Sequence, residues 1–229
     1  MVQLLLRLRA GGVMKIRSGR SENGFTLLEL MIAVSITLIL TSLIIYNLLG
    51  ELPKYRLRST ASKVAATLQY LKIRAVTTSR IAWMDVNYAT SDNHYFTGFV
   101  DVDGSGTASA VEYAETKIDF PDTVSSVPCF KLPPTVTFGF PDGYTSGTGP
   151  DSTAFPGSGT YINTPGGYSN GGYFGYRPTG VPVVNPAANM TATTPCVIYL
   201  RNELGQGYAV SIQITGRVRV WQWTGGAWQ

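Results

Sequence analysis

Histidine is almost absent from this chain: His94 stands alone among 229 residues. A multi-histidine metal centre is therefore excluded, and a Ser-His-Asp arrangement would have to use that single residue. No G-x-S-x-G elbow, Walker loop or G-x-G-x-x-G cradle occurs despite 25 glycines, so the glycines read as turn and loop residues. His94, beside Tyr95 at the start of an expected strand, reads as a solvated loop residue. Charge is scarce at 14 % while aromatic residues reach 11 %. That composition excludes a disordered polyelectrolyte and suits a packed domain with long polar loops. Cysteine is limited to Cys129 and Cys196. These absences point away from an enzyme.

The length suits one ordinary globular domain with an appended segment. The sequence pI near 9.1 invites a nucleic-acid or membrane-surface reading, but the excess has one source. Arg7, Arg9, Lys15, Arg17 and Arg20 face only Glu22 within residues 1–24, and the remainder is balanced. That remainder is polarised. Bases cluster between Lys54 and Arg80, and acids succeed them from Asp85 to Asp122. An intramolecular match between a basic helix and an acidic sheet or loop is the expectation, because net charge alone specifies no partner.

Residues 25–49, FTLLELMIAVSITLILTSLIIYNLL, form an apolar run broken by one charge, Glu29. As a helix it spans about 37 Å, enough to cross a bilayer core. The basic residues before it stay cytoplasmic, so the chain beyond the helix is exported. A secretory signal has a shorter apolar region with a cleavage site after it. A plain signal anchor gives no reason for a carboxylate in lipid, which costs several kcal/mol (about 3 or more) and marks function. The residues Gly24-Phe25-Thr26-Leu27-Leu28-Glu29 resemble the processing motif of type IV prepilins and pseudopilins. The resemblance implies cleavage between Gly24 and Phe25 by a prepilin peptidase, N-methylation of Phe25, and pairing of Glu29 with a neighbouring subunit's amine. Met14 begins a compact basic leader, MKIRSGRSENG, that would suffice alone.

Gly50 and Pro53 interrupt the helix, and proline there predicts a kink. Leu57, Ala61, Val64, Leu68, Leu71 and Ala75 then recur at spacings of four and three, one apolar stripe suited to packing on a sheet. Beyond Ser79 short strands are expected over 81–88, 95–102, 111–118, 135–140, 196–200, 208–214 and 217–223. Residues 141–195, rich in Gly, Pro, Ser, Thr and Tyr, read as long loops with little regular structure.

This layout resembles the GspH/FimT family of minor pseudopilins and minor type IV pilins. Its carriers are the leader and helix, STASKVAATLQYLKIRAVTTSRIAWMDVNY, YFTGFVDVDGSGTASAVEYAE and the C-terminal ITGRVR. The resemblance implies an α+β fold, a long N-terminal transmembrane and assembly helix packed on a small antiparallel β-sandwich. It divides the chain into a leader (1–24), a transmembrane helix (25–49), an amphipathic continuation (50–80) and an exported β-rich domain (81–229). The implied partners are other pilins or pseudopilins, the prepilin peptidase and the bacterial inner membrane, with the domain in the periplasm or on the fibre.

The exported part holds three further candidate sites. Two cysteines in an oxidising compartment predict a Cys129–Cys196 disulfide, the alternative being two buried free thiols. DVDGSGTASAVE fits the twelve-residue calcium-loop template: Asp101, Asp103 and Ser105 alternate, Gly106 turns, Thr107 offers a carbonyl and Glu112 closes. A glycine-rich hairpin with solvated acids fits the same letters, and its flanks FTGFV and VEYAE read as strands. Finally, Arg217 and Arg219 lie two apart in a strand and share a face with Trp221 and Trp223. DNA-binding FimT-type minor pilins carry a Gly-Arg-x-Arg motif in this place, so the resemblance implies DNA capture for uptake. Two solvated arginines on a strand are the other reading.

Overall fold

The computed structural model describes residues 25–87, 94–145, 147–153, 162–163, 171–184, 190–192 and 194–229. The chain divides into a unit ending at Ile45 and a unit of Tyr46–Gln229. Helix α1 runs from Leu27 to Thr78 with Pro53 inside it. In the first unit its large apolar side chains are all exposed, from Leu27 at 77 % to Ile45 at 51 %. By length and composition this stretch is able to cross a membrane.

In the second unit α1 becomes a core helix. Leu57, Ala61, Val64, Leu68, Leu71 and Ala75 are fully buried, the stripe that the 3.6-residue period picks out. Two antiparallel sheets share that core. The first orders its strands β3 (Asp122–Val124), β4 (Val127–Lys131), β2 (Tyr95–Val100), β1 (Ala82–Asn87), β7 (Gly171–Tyr176), β8 (Pro182–Val184) and β9 (Met190–Thr191). The second orders β12 (Val218–Gln222), β11 (Gly207–Ile212), β10 (Cys196–Asn202) and β5 (Val136–Phe138), with β6 (Ile162–Asn163) also paired to β10. Strand alternation sends Ala82, Met84 and Val86 of β1 and Ile198 and Leu200 of β10 into the same core as the helix stripe. The architecture is α+β, a long apolar N-terminal helix packed with antiparallel sheets.

Two regions differ from the sequence expectation. Residues 111–118 do not form a strand; Ala110–Thr116 is a helix, α2. Ser109 accepts from the Glu112 amide while Glu112 accepts from the Ser109 amide, a capping box. Lys117 closes it in the left-handed conformation at φ 56°. Nor is 141–195 loop throughout. β7 lies inside the first sheet between β1 and β8. Its glycines fit because β1 comes close: a Cβ on Gly175 would stand 2.5 Å from the Trp83 ring.

The Cys129–Cys196 disulfide is not formed; both thiols are free and buried. Cys196 points into the common core. Phe130 packs on that core too, so Cys129, its neighbour in β4, faces the other side of its sheet. Burial raises both thiols, Cys196 to about 12. The charge match also takes another form. Among the described residues the bases of α1 do not pair with the acids of 85–122. Lys72 donates to the Gly216 carbonyl at 3.0 Å, Arg80 to the Val102 carbonyl at 2.9 Å, and Arg74 to the Glu115 carbonyl. Lys63 stands 4.3 Å over the Phe130 ring. His94 is a loop residue, as expected, but half-buried: its ring lies 5.8 Å from that of Phe138 and burial lowers its pKa.

Lys72 joins the two sheets. It reaches the Gly216 turn between β11 and β12, and its stem lies against Gly180 in the turn between β7 and β8. Gly216 has φ +76°, and a Cβ there would stand 2.3 Å from the Gly180 carbonyl oxygen. Only glycine meets both conditions.

Asp85 faces away from the common core, beside Thr97 and Tyr173 in register and close to Tyr95 and Tyr113. It has no ion pair among the described residues, and burial raises its pKa to about 6. Folded protein thus holds this proton more tightly than unfolded chain, so stability falls as pH rises between the unfolded value near 4 and about 6. Asp85→Asn should therefore raise stability at pH 7.5 by about 1–3 kcal/mol and change it little at pH 3.5. Urea midpoints at the two pH values check this.

Candidate functional site

Three places gather the residues singled out in the sequence. The first is the loop between β2 and α2. Asp101, Asp103 and Glu112 bring carboxylate oxygens within 4.8 Å of one another, Asp101 and Glu112 buried and Asp103 exposed. Asp101 accepts from the Gly104 amide at 2.7 Å and the Gly106 amide at 3.2 Å. Glu112 accepts from Val102 at 2.9 Å and Ser109 at 2.7 Å. Asp103 accepts from Ser105, which lowers its pKa. Ser105 and Thr107 bond each other through their hydroxyls at 2.8 Å. Three carboxylates are the oxygen donors that calcium takes, and the exit from the loop is helical, as the template has it. The entry is a strand. Backbone amides engage all four oxygens of the two buried carboxylates once each, and each oxygen keeps a second acceptor site.

The second place is the β11–β12 hairpin. Arg217 is exposed at its turn, and its carbonyl accepts from Gln213 at 2.8 Å. Arg219 is held. Its guanidinium pairs at 3.4 Å with Asp151, whose side chain is only 5 % exposed. Asp151 also accepts from Gln213 at 2.9 Å and from the Ser211 hydroxyl, which in turn accepts from the Trp221 indole at 2.9 Å. Asp151 takes φ 52° within a 3₁₀ turn, Pro150–Ser152, a backbone region that asparagine and aspartate tolerate better than most residues. Trp221 and Trp223 are half-buried on Tyr144, Val197, Tyr199 and Ala209, with Phe140 and Trp228 beside them. The face expected to present two arginines and two tryptophans thus presents one free arginine. Sequence reasoning missed Asp151 because the segment around it carries no periodic signal; only the fold carries it onto β11.

The third place is the start of α1. Gly24 lies outside the described residues. Phe25, 81 % exposed, precedes the helix, and the Thr26 hydroxyl accepts from the Glu29 amide at 3.2 Å. Threonine thereby caps the helix three residues before an acid, which adds negative charge where the helix dipole is positive. Glu29 is exposed and stands in the first turn, with apolar side chains on every side of the helix beyond it.

Residues 19–45 match the prokaryotic N-terminal methylation motif. This segment is similar to N-terminal methylation segments. The matched residues contain Gly24, Phe25 and Glu29. Among solved structures, the chain is similar to the type IV minor pilin FimU of Pseudomonas aeruginosa at 13 % identity, covering 77 % of this chain and 94 % of that one, with a TM-score of 0.38. At that score the likeness bears on no residue and no function. No curated protein matches.

For the acidic loop, Glu112→Ala removes the acceptor of the Ser109 amide, which is one half of the capping box, and the acceptor of the Val102 amide. It should cost about 2 kcal/mol of stability in buffer containing a chelator. Chemical denaturation with and without calcium checks the value. A loss seen only in calcium would assign these carboxylates to the ion.

Proposed function

We propose that the prepilin-like chain is a minor subunit of a type IV pilus or a type II secretion pseudopilus, of the GspH/FimT kind. The observation that carries this reading is Glu29: a single carboxylate in the first turn of a helix whose large apolar side chains from Leu27 to Ile45 are exposed. In lipid such a group needs a counter-charge. Cleavage between Gly24 and Phe25 supplies one by creating an amine four residues before Glu29. The helix geometry places a subunit's own amine at its helix start, so an amine of a neighbouring copy is free to meet the carboxylate as the fibre grows. Methylation of Phe25 leaves that amine basic. The basic leader keeps residues 1–24 cytoplasmic and delivers the sheet domain to the outer side of the inner membrane. The prepilin peptidase and other pilins or pseudopilins are the partners this assembly requires. The role is structural and asks for no catalytic group.

The test is the mature N-terminus. Mass spectrometry should find N-methylated Phe25 as the first residue; a start elsewhere would refute the reading. Glu29→Ala should leave cleavage intact and reduce incorporation into purified fibres at least tenfold, a loss of order 1.4 kcal/mol or more.

A second reading, DNA capture for uptake, draws on the exposed Arg217. The Asp151 pair withdraws charge from Arg219, so Arg217 carries most of the phosphate contact. Arg217→Ala should then remove the greater part of the DNA affinity and flatten its salt dependence by about one phosphate contact. Equal weak binding by both proteins leaves the hairpin a solvated turn.

A further inference from the structure

Of residues 54–58 only Leu57 is buried; Lys54, Arg56, Arg58 and Tyr55, the last at 73 %, are exposed. On a helix Lys54 and Arg58 lie one turn apart on one side, and Tyr55 and Arg56 continue around it. The four side chains form a collar interrupted only where Leu57 enters the core. Lys54 pairs with Glu51 at 2.6 Å, an exposed contact of small weight. The guanidinium groups of Arg56 and Arg58 have no hydrogen bond or ion pair among the described residues. The bases further along differ, since Lys63, Lys72 and Arg74 of α1, and Arg80 just after it, each meet a ring or a carbonyl of the domain. The collar is the part of the helix whose positive charge the fold does not use.

Its place along the chain names what it meets. The apolar run ends at Leu49, and a hydrocarbon core of about 30 Å, about 20 helical residues, fits within the run with its outer edge there. Lys54, five residues on, stands about 7 Å further out, at the depth of the headgroup layer, and the stems of Arg56 and Arg58 reach back several ångströms, of order 6 Å. Leu48 and Leu49 are exposed at 56 % and 61 %, as lipid-facing residues are. Between Phe25 and Arg58 the only charged residues are Glu29, Glu51 and the three bases of the collar. Once a leader ending at Gly24 is removed, no basic side chain is left on the inner side of the span, where only the new amine of Phe25 is cationic, and the nearest basic side chains all lie on the outer side.

We propose that Lys54, Arg56 and Arg58, with Tyr55 as interfacial anchor, bind the phosphate groups of anionic phospholipids in the outer leaflet of the membrane. Guanidinium forks match phosphate oxygens in bidentate fashion, and aromatic residues with a polar tip favour the headgroup level. The collar fixes the depth of the processed chain when the cytoplasmic charges that oriented it are gone. It thereby holds the helix start, and Glu29 with it, at one level for assembly. The proposal rests on the membrane-anchored reading of the chain.

The experiment uses the full mature protein and a Lys54→Gln/Arg56→Gln/Arg58→Gln variant. Both are first reconstituted into vesicles and washed with alkaline carbonate. Loss of both proteins from the vesicles would refute the anchored reading itself and the collar with it. With both retained, each is purified in neutral detergent and titrated with phosphatidylglycerol or phosphatidylcholine, and bound lipid is counted by native mass spectrometry. Each basic residue near an anionic surface contributes about fivefold in affinity. Wild-type protein should therefore prefer phosphatidylglycerol over phosphatidylcholine by about a hundredfold, the preference should weaken with salt, and the variant should lose it. Inorganic phosphate at matched concentration should not displace the lipid; displacement would overturn the assignment to a membrane. Equal lipid retention by wild type and variant overturns the collar. If that equality comes with reduced cross-linking between copies in the variant, the collar serves a neighbouring subunit instead.

Discussion

The second unit depends on one constraint: the apolar stripe of α1 has to be covered from two directions at once. Leu57, Leu68 and Leu71 each bury a side chain worth about 2 kcal/mol, and neither sheet covers the stripe alone. Met84, Phe96 and Phe174 come to it from the first sheet, Ile198, Leu200 and Val210 from the second. A helix that fills one core between two sheets fixes their spacing, and the turns are placed with it. Lys72 projects from the helix to where a turn of each sheet arrives, and Gly180 and Gly216 are the residues small enough to meet there.

The same constraint assigns work to the charges. With the stripe buried, bases on the flanks of the helix lie beside loop carbonyls and aromatic faces of the domain, and they satisfy those. The acids of 101–112 turn inward for a similar reason. A chain leaving β2 and entering α2 within ten residues exposes amides that must be bonded, and Asp101 and Glu112 are the acceptors at hand. What reads as a surface dipole along the sequence becomes, in the fold, two separate sets of side chain to backbone bonds.

One helix carries two kinds of surface. Its first half keeps its leucines and isoleucines exposed and carries one carboxylate; its second half buries one stripe and shows charge elsewhere. The change falls around Gly50 and Pro53. Proline costs the helix a hydrogen bond there, and the collar of 54–58 comes directly after it. An exposed apolar stretch, a short basic stretch and a core stretch therefore succeed one another along a single α1.

The sequence by itself determined whatever rests on local pattern. The apolar run with Glu29, the prepilin-like motif, the helix stripe and the strands over 82–87, 95–100, 196–202 and 207–212 each repeat with the period of one element, so no distant residue is needed to see them. The cap on α2 was legible in the same way, as Ser109 three residues before Glu112, although the alternation after it argued for a strand. Tertiary structure decided the rest. β7 is a strand because β1 offers it an edge and Trp83 leaves room only for glycine. Cys129 and Cys196 stay apart because alternation turns them to different faces. Arg219 is neutralised by Asp151, 68 residues away in sequence. Each of these depends on which side chains the two sheets bring face to face, and that pairing is set by burial of the α1 stripe, not by any window of neighbouring residues.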